Sequence, residues 1–144
     1  MMTIDSAQVL AEIGALQHRI SSPSAFLQEV GTVQQEKAQA RIRDTKDTPW
    51  GAAWAPWQPM TLKERTIKGN ADQGLLWDSG ALLNSIHYEL EPFSVTIGTD
   101  LEYALDLQDG TDRMAARPFL GWDDLDLGDI EKLAAMYFYS EFGL

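Results

Sequence analysis

The residues that could carry chemistry in this chain are two histidines and two carboxylates, and neither pair has a spacing that predicts a site. His18 lies in a segment with helical periodicity and His87 in one with strand alternation, so neither has a partner at helical spacing. Glu64 and Asp78 could be the paired carboxylates of a hydrolase, but nothing in the sequence places them together. We therefore predict no catalytic residue and expect that the chain is not an enzyme.

The densest group of possible metal ligands is the acidic run from Asp123 to Asp129. A calcium-binding EF-hand loop needs oxygen ligands at positions 1, 3 and 5, glycine at position 6 and glutamate at position 12. Counted from Asp124, Gly128 takes position 5 and an aspartate takes position 6, so the pattern fails. Helix capping explains the run better. No glycine run matches a phosphate-binding loop either, so we predict no metal site and no cofactor.

Two helices are predicted in residues 1–44, arranged as an antiparallel helical hairpin. Apolar residues recur at helical spacing over residues 5–20, with Asp5 or Ser6 as the cap. The stretch around Pro23 ends this helix and begins the next, with a serine cap and the proline at the first helical position. Three cations follow in the last turns of the second helix, where they suit the negative end of its dipole: Lys37, Arg41 and Arg43.

Residues 45–144 are predicted to hold a tryptophan-rich loop, a β-hairpin and a C-terminal helix. A short helix should begin at Thr61, because Thr61 and Glu64 have the spacing of a capping box. Apolar and polar residues alternate on both sides of a turn at residues 91–94, which predicts the hairpin. The last helix should begin at Asp126 or Asp129. This order predicts one α+β domain over residues 1–144, with a small antiparallel sheet and short helices.

Composition and charge exclude several classes of protein. A chain of 144 residues, 44% hydrophobic and without cysteine, suits one domain in a reducing cytoplasm, with no disulfide and no thiolate metal site. No apolar run reaches the roughly 20 residues that span a bilayer, and no signal peptide is recognisable, so a soluble protein without membrane contact is expected. The net charge of −11 argues against specific nucleic-acid binding.

The charge is concentrated in one half of the chain. Residues 1–72 hold 8 basic and 8 acidic side chains, whereas residues 73–144 hold 3 basic and 14 acidic ones. Two interpretations stay open: plain solubility, or a face that repels an anionic molecule such as DNA passing through a channel.

The loop with three of the five tryptophans and a later Arg-Pro-Phe segment are the candidate interface. Large aromatics beside prolines could fill the core, anchor a protein–protein contact or stack on a carbohydrate. Arg117 precedes a proline and is therefore held extended. It could pair with a carboxylate of a neighbouring subunit, pair within its own chain or remain solvated. The candidate interface residues are Trp50, Trp54, Trp57, Arg117, Pro118 and Phe119.

Four stretches of the chain carry motifs in an order and spacing that one protein family shares. They are Trp57–Met60, Leu76–Ile86, Val95–Gly110 and Ala115–Leu120. Together they resemble the phage virion morphogenesis (tail completion) family of Mu-like and P2-like phages and prophages and, more distantly, small neck and tail-terminator proteins. The family elements are a Trp-x-Pro-Leu motif, a Leu-x-x-Ser-Gly-x-Leu-x-x-Ser-Ile motif, a strand with Tyr-Ala and Gln-x-Gly, and a Pro-x-Arg-Pro-Phe-Leu motif. Met60 stands where the family has Leu, and Ala115 where it usually has Pro.

The resemblance implies a structural protein that completes the tail or joins head to tail. It implies a ring of identical subunits, with a hexamer as one option, that contacts tail-tube or head-connector proteins. Such a protein would assemble in the bacterial cytoplasm and remain in the tail or neck of the virion. Two alternatives stay open: an acidic inhibitor or DNA mimic that binds a basic partner, and a hydrolase of cell-wall sugars that uses Glu64 or Asp78.

Overall fold

The computed structural model describes residues 6–69 and 71–139, and it confirms the α+β class. The elements, in chain order, are α1 (Ser6–Ser21), α2 (Ser24–Ala40), a π-helical turn (Arg41–Thr45), α3 (Pro59–Lys68), a 3₁₀ turn (Ala71–Gln73), α4 (Ala81–Ser85), β1 (His87–Glu91), β2 (Ser94–Gly98), α5 (Ala104–Asp109) and α6 (Asp124–Tyr139).

The two N-terminal helices form as expected, but their packing differs. Pro23 is the N-cap residue of α2 rather than its first helical residue, and no side chain caps this end. Helix α6 packs against both α1 and α2, whereas α1 has little direct contact with α2. The two helices therefore depend on a third one to hold them together. The expected cap Asp5 lies outside the described residues.

The predicted hairpin forms and packs on α2. β1 and β2 pair antiparallel, with His87 opposite Gly98 and Glu91 opposite Ser94. The backbone of α2 comes close to the sheet at Gly31, where an added Cβ would lie 2.7 Å from the ring of Tyr88. Glycine at this position lets helix and sheet approach each other closely.

The interior is formed by residues that are scattered along the chain from α2 to the segment before α6. Phe119, Ile42 and Ile86 are the largest fully buried side chains. The complete buried apolar cluster is Ala38, Ile42, Trp54, Leu82, Ile86, Ala104 and Phe119.

The predicted start of α3 is wrong in detail. Helix α3 begins at Pro59 with Gln58 as N-cap, so Thr61 lies inside the first turn and the predicted capping box does not form. Proline at the first helical position fixes φ and needs no amide partner, which favours the earlier start. Helix α4 begins after Gly80, which has a positive φ of 84°; this left-handed backbone favours glycine.

Helix α6 begins at Asp124, two residues before Asp126, the first of its two predicted starts. The reason is a reciprocal capping pair across its first turn. The Asp126 amide donates to Asp123 Oδ1 at 2.7 Å, and the Asp123 amide donates to Asp126 Oδ2 at 3.1 Å. The acidic run therefore serves helix capping.

Asp126 also joins α6 to α2. Its residue is only 2% exposed, and its Oδ1 accepts a hydrogen bond from Lys37 Nζ at 2.5 Å and from Gln34 Nε2 at 3.4 Å. Arg41 NH2 lies 3.7 Å from Oδ2. Burial alone would raise the pKa of Asp126, but the hydrogen bonds from Lys37, the Asp123 amide and Gln34 outweigh it, so the pKa is lowered. Two of the predicted dipole cations thus make tertiary contacts instead.

Candidate functional site

The tryptophan loop is a closed turn. An isolated antiparallel bridge joins Asp47 to Ala53, and the Thr48 amide donates to the carbonyl of Ala52 at 2.8 Å. Trp50 lies at the tip and is 59% exposed. The base of the loop lies against Gly121, where an added Cβ would lie 2.9 Å from Pro49 Cγ. The loop is thus fixed on the body of the chain, with one tryptophan facing outward.

Trp54 belongs to the interior. Its residue is 5% exposed, and its Nε1 donates a hydrogen bond to the carbonyl of Pro118 at 2.7 Å. Phe119, the next residue along the second segment, is fully buried. The core interpretation of the tryptophan loop therefore holds for Trp54, which attaches the loop to the Arg-Pro-Phe segment.

Arg117 binds the loop from the other side, through backbone carbonyls of its own chain. Its Nε donates to Ala55 O at 2.8 Å and its NH2 donates to Pro56 O at 2.9 Å. The residue is 7% exposed, and burial lowers the pKa of the guanidinium. Among the described residues, none supplies a carboxylate within 4.0 Å of it. The predicted pairing with a carboxylate of its own chain is therefore not seen among the described residues; two hydrogen bonds to carbonyl oxygens take its place. Pairing with a neighbouring subunit stays a prediction.

Gln108 is the residue that the sequence analysis did not single out as functional. Its Oε1 accepts from the amides of Phe119 and Leu120, each at 3.1 Å, and its Nε2 donates to Leu120 O at 2.8 Å. Arg41 NH1 adds a hydrogen bond to Phe119 O at 3.1 Å. Side chains thus supply the partners that a neighbouring strand would give to this extended segment. The Gln-x-Gly motif was the available signal.

These contacts leave a groove beside the loop, with a volume of about 840 Å³. Three arginines line it, together with one carboxylate, Asp78. Arg65 lies with its guanidinium carbon 4.7 Å from the ring centre of Trp57, and its NH1 donates to Trp77 O at 2.8 Å. The lining residues are Ala55, Pro56, Trp57, Gln58, Thr61, Arg65, Leu76, Asp78, Ser79, Ala81, Leu82, Tyr103, Leu107, Arg113, Met114, Ala115 and Arg117. We call this the arginine groove.

The structure divides the six predicted interface residues into two sets. Trp54, Arg117 and Phe119 are buried and hold the loop to the body of the chain. Trp54 and Phe119 could contact another chain only if the fold opened, whereas Arg117 also lines the groove. The other three residues are exposed or half-buried and so remain accessible at the surface: Trp50, Trp57 and Pro118.

The residues with possible chemistry are dispersed. Glu64 is exposed on α3, and Asp78 lies 3.7 Å from Arg65. His87 Nδ1 is 2.9 Å from the carbonyl of Ser85. That hydrogen bond, with smaller effects of nearby Asp100 and Glu89, raises the pKa of His87. Within residues 6–69 and 71–139, no group of three or more acidic or histidine side chains could hold a metal ion.

Comparison with known proteins identifies the family of this chain. A family model described as phage virion morphogenesis family matches residues 4–138. The chain belongs to this family. A search of curated proteins gave no significant match, and neither did a search of solved structures.

Membership of the phage virion morphogenesis family assigns the chain a role in building the phage particle, and such families are generally structural rather than catalytic. The helices in the described part of this virion morphogenesis protein include none that is long and apolar enough to cross a membrane.

The four stretches that carry the family resemblance meet at the arginine groove. Each contributes lining residues: Trp57 from the first, Leu76 and Leu82 from the second, Tyr103 from the third and Arg117 from the fourth. They are distant in sequence but adjacent in space. In this virion morphogenesis protein the groove is therefore the candidate functional site.

Proposed function

We propose that this virion morphogenesis protein completes the tail or joins head to tail, and that it acts as a ring of identical subunits. The observation that carries the proposal is the family match over residues 4–138, because it covers almost the entire chain. In this proposal the protein is not an enzyme: the buried titratable side chains Asp126, Arg41 and Arg117 make capping, ion-pair and backbone contacts.

An uncovered apolar stripe on α1 supports self-association. The apolar residues that recur at helical spacing in α1 are largely exposed: Val9, Ile13 and Ile20 are exposed by 41%, 46% and 57%. Leu10, beside them, is 68% exposed. Contiguous exposed apolar side chains mark surfaces that bind another protein. In a ring of subunits, α1 would be covered by a neighbouring copy or by a particle protein.

We further propose that the ring encloses a channel through which DNA passes, and the acidic half supports this. Exposed carboxylates of α5 and of the turns on either side of it lie close together along the chain, and like charge keeps a polyanion from binding the wall. These candidate channel residues are Glu102, Asp106, Asp109 and Asp112.

A gene deletion in the phage that encodes the chain tests the proposal. We expect lysates of the deletion strain to contain separate filled heads and tails, and a plasmid copy of the gene to restore joined, infectious particles. Electron microscopy of wild-type particles should place a ring of this chain at the tail end or neck. Normal numbers of infectious particles without the chain would refute the proposed role, and an isolated single copy in the particle would refute the ring.

A further inference from the structure

The arginine groove is a cationic site on an acidic protein. Residues 73–144 contain only 3 basic side chains, and two of them, Arg113 and Arg117, line the groove. Arg65 adds a third cation from α3, whereas Asp78 is the single carboxylate of the lining. The rest of the lining is mainly apolar. A ligand that fits this chemistry carries a negative charge next to an apolar or aromatic side chain.

Two of the three arginines keep their charge unneutralised. Arg117 is 7% exposed and uses its guanidinium on carbonyl oxygens, which orient the cation without cancelling it. Arg113 is exposed, and no ion pair to its side chain forms among residues 6–69 and 71–139. A carboxylate that enters the groove therefore gains a charge-assisted hydrogen bond in a partly desolvated place.

A matching surface exists elsewhere on the same chain, at the turn into α6. Trp122 is 47% exposed and Leu125 is 76% exposed, and the exposed carboxylate of Asp124 stands between them in sequence. We call these three residues the acidic corner. The reciprocal hydrogen bonds between Asp123 and Asp126 hold its backbone. A surface that is already ordered loses little conformational entropy on binding.

The acidic corner and the groove belong to different faces. Trp122 lines a second cavity of about 350 Å³, with Gln34 of α2 and Val95 of β2 among its walls. That cavity shares no lining residue with the arginine groove. Two complementary surfaces on different faces of one chain suit a contact between two copies.

We infer that the acidic corner of one subunit docks into the arginine groove of the next. The two sides of such a contact differ. A growing chain of subunits therefore has a free corner at one end and a free groove at the other until the ring closes. The inference rests on the proposed ring and specifies its interface. A stable contact buries about 800 Å² of surface on each partner. The acidic corner and the arginine groove would form the centre of that buried surface.

Two charge-changing variants test the contact, each with a matched control. Arg113→Glu alters the groove and Leu125→Lys alters the corner; both residues are exposed, so the fold should remain intact. The matched controls are Lys132→Glu and Met136→Lys, which make the same kinds of change at other positions, both on α6. The side chain of Lys132 is 79% exposed, and Met136 is 68% exposed. Sedimentation velocity of purified protein measures self-association, and circular dichroism checks the fold.

We expect Arg113→Glu and Leu125→Lys each to weaken self-association by at least about tenfold, with both controls unchanged. A mixture of the two variants should form heterodimers and stop there, because the pair retains one intact groove and one intact corner. Combining Arg113→Asp with Asp124→Arg in one chain should restore association.

Three results would overturn the docking inference. They are a wild-type chain that stays monomeric up to about 1 mM, variants that associate as the wild type does, and a mixture that fails to pair. A mixture that fails to pair is also expected if another virion protein, and not a second copy of this chain, occupies the groove. None of them removes a ring seen in the particle, so failure of the docking contact and failure of the proposed function are separate outcomes.

Discussion

Replacing Asp126 with asparagine should strongly destabilise the fold, because this carboxylate is the buried link between α6 and α2. Its Oδ1 lies 2.5 Å from Lys37 Nζ, and its Oδ2 lies 3.7 Å from Arg41 NH2. Removing one member of a buried ion pair costs about 3–5 kcal/mol. The Lys37 side chain is 33% exposed and keeps Asp129 at 3.2 Å, so its remaining charge is partly solvated. We expect a loss of about 3 kcal/mol at pH 7.

The pH dependence separates the charge from other effects of the substitution. Since the pKa of Asp126 is lowered by folding, its contribution is complete above the unfolded pKa of about 3.9 and disappears as the pH falls through the folded value. The wild type should therefore lose this stability in acid, whereas the asparagine variant has no carboxylate to protonate. The difference in unfolding free energy between the two should shrink steadily below about pH 4.

Urea unfolding followed by tryptophan fluorescence at pH 7, 4 and 3 measures this difference. Asp129→Asn is the control, because Asp129 contacts the same lysine but its side chain is 49% exposed. It should cost less than about 1 kcal/mol. Equal costs for the two variants, or a difference that stays constant from pH 7 to pH 3, would refute the reasoning.

Three further tests of the packing use five substitutions. Trp54→Ala should cost about 3–5 kcal/mol in urea unfolding and Trp50→Ala under about 0.5, because only the first is buried; equal costs would contradict the core placement. Gly31→Ala should cost about 1–3 kcal/mol, because the added Cβ collides with the ring of Tyr88. Gly14→Ala is the control: its added Cβ meets nothing within 4 Å, so it should stabilise α1 by about 0.5–1 kcal/mol in thermal unfolding. Gln108→Leu should cost about 3 kcal/mol for its three hydrogen bonds, measured by urea unfolding, and a loss below about 1 kcal/mol would show that water replaces them.

The parts of the fold that follow a local rule could be predicted from the sequence. The hairpin formed where apolar and polar residues alternate, because a period of two depends only on neighbouring residues. The helices α1 and α6 formed where apolar residues recur at helical spacing. For α1 the same pattern left burial undetermined, since periodicity shows that an apolar stripe exists and not what covers it.

Contacts between distant residues could not be predicted in this way. The pairing of Lys37 with Asp126 joins residues 89 apart, and no local pattern identifies the partner. The same holds for Arg117, whose carbonyl partners lie on the tryptophan loop. The groove itself was invisible in the sequence, although all four stretches that form it had been singled out by resemblance.

The segment from Arg117 to Leu120 has an unusual genetic property. In a β-ladder, backbone atoms hold the strand, so replacing side chains leaves the route of the chain intact. Here a single backbone hydrogen bond, from the Arg117 amide to Leu107 O, is joined by side-chain contacts from Arg41, Trp54 and Gln108. A single missense change at any of these three codons can therefore redirect a stretch of chain far from the altered residue, and with it one wall of the groove.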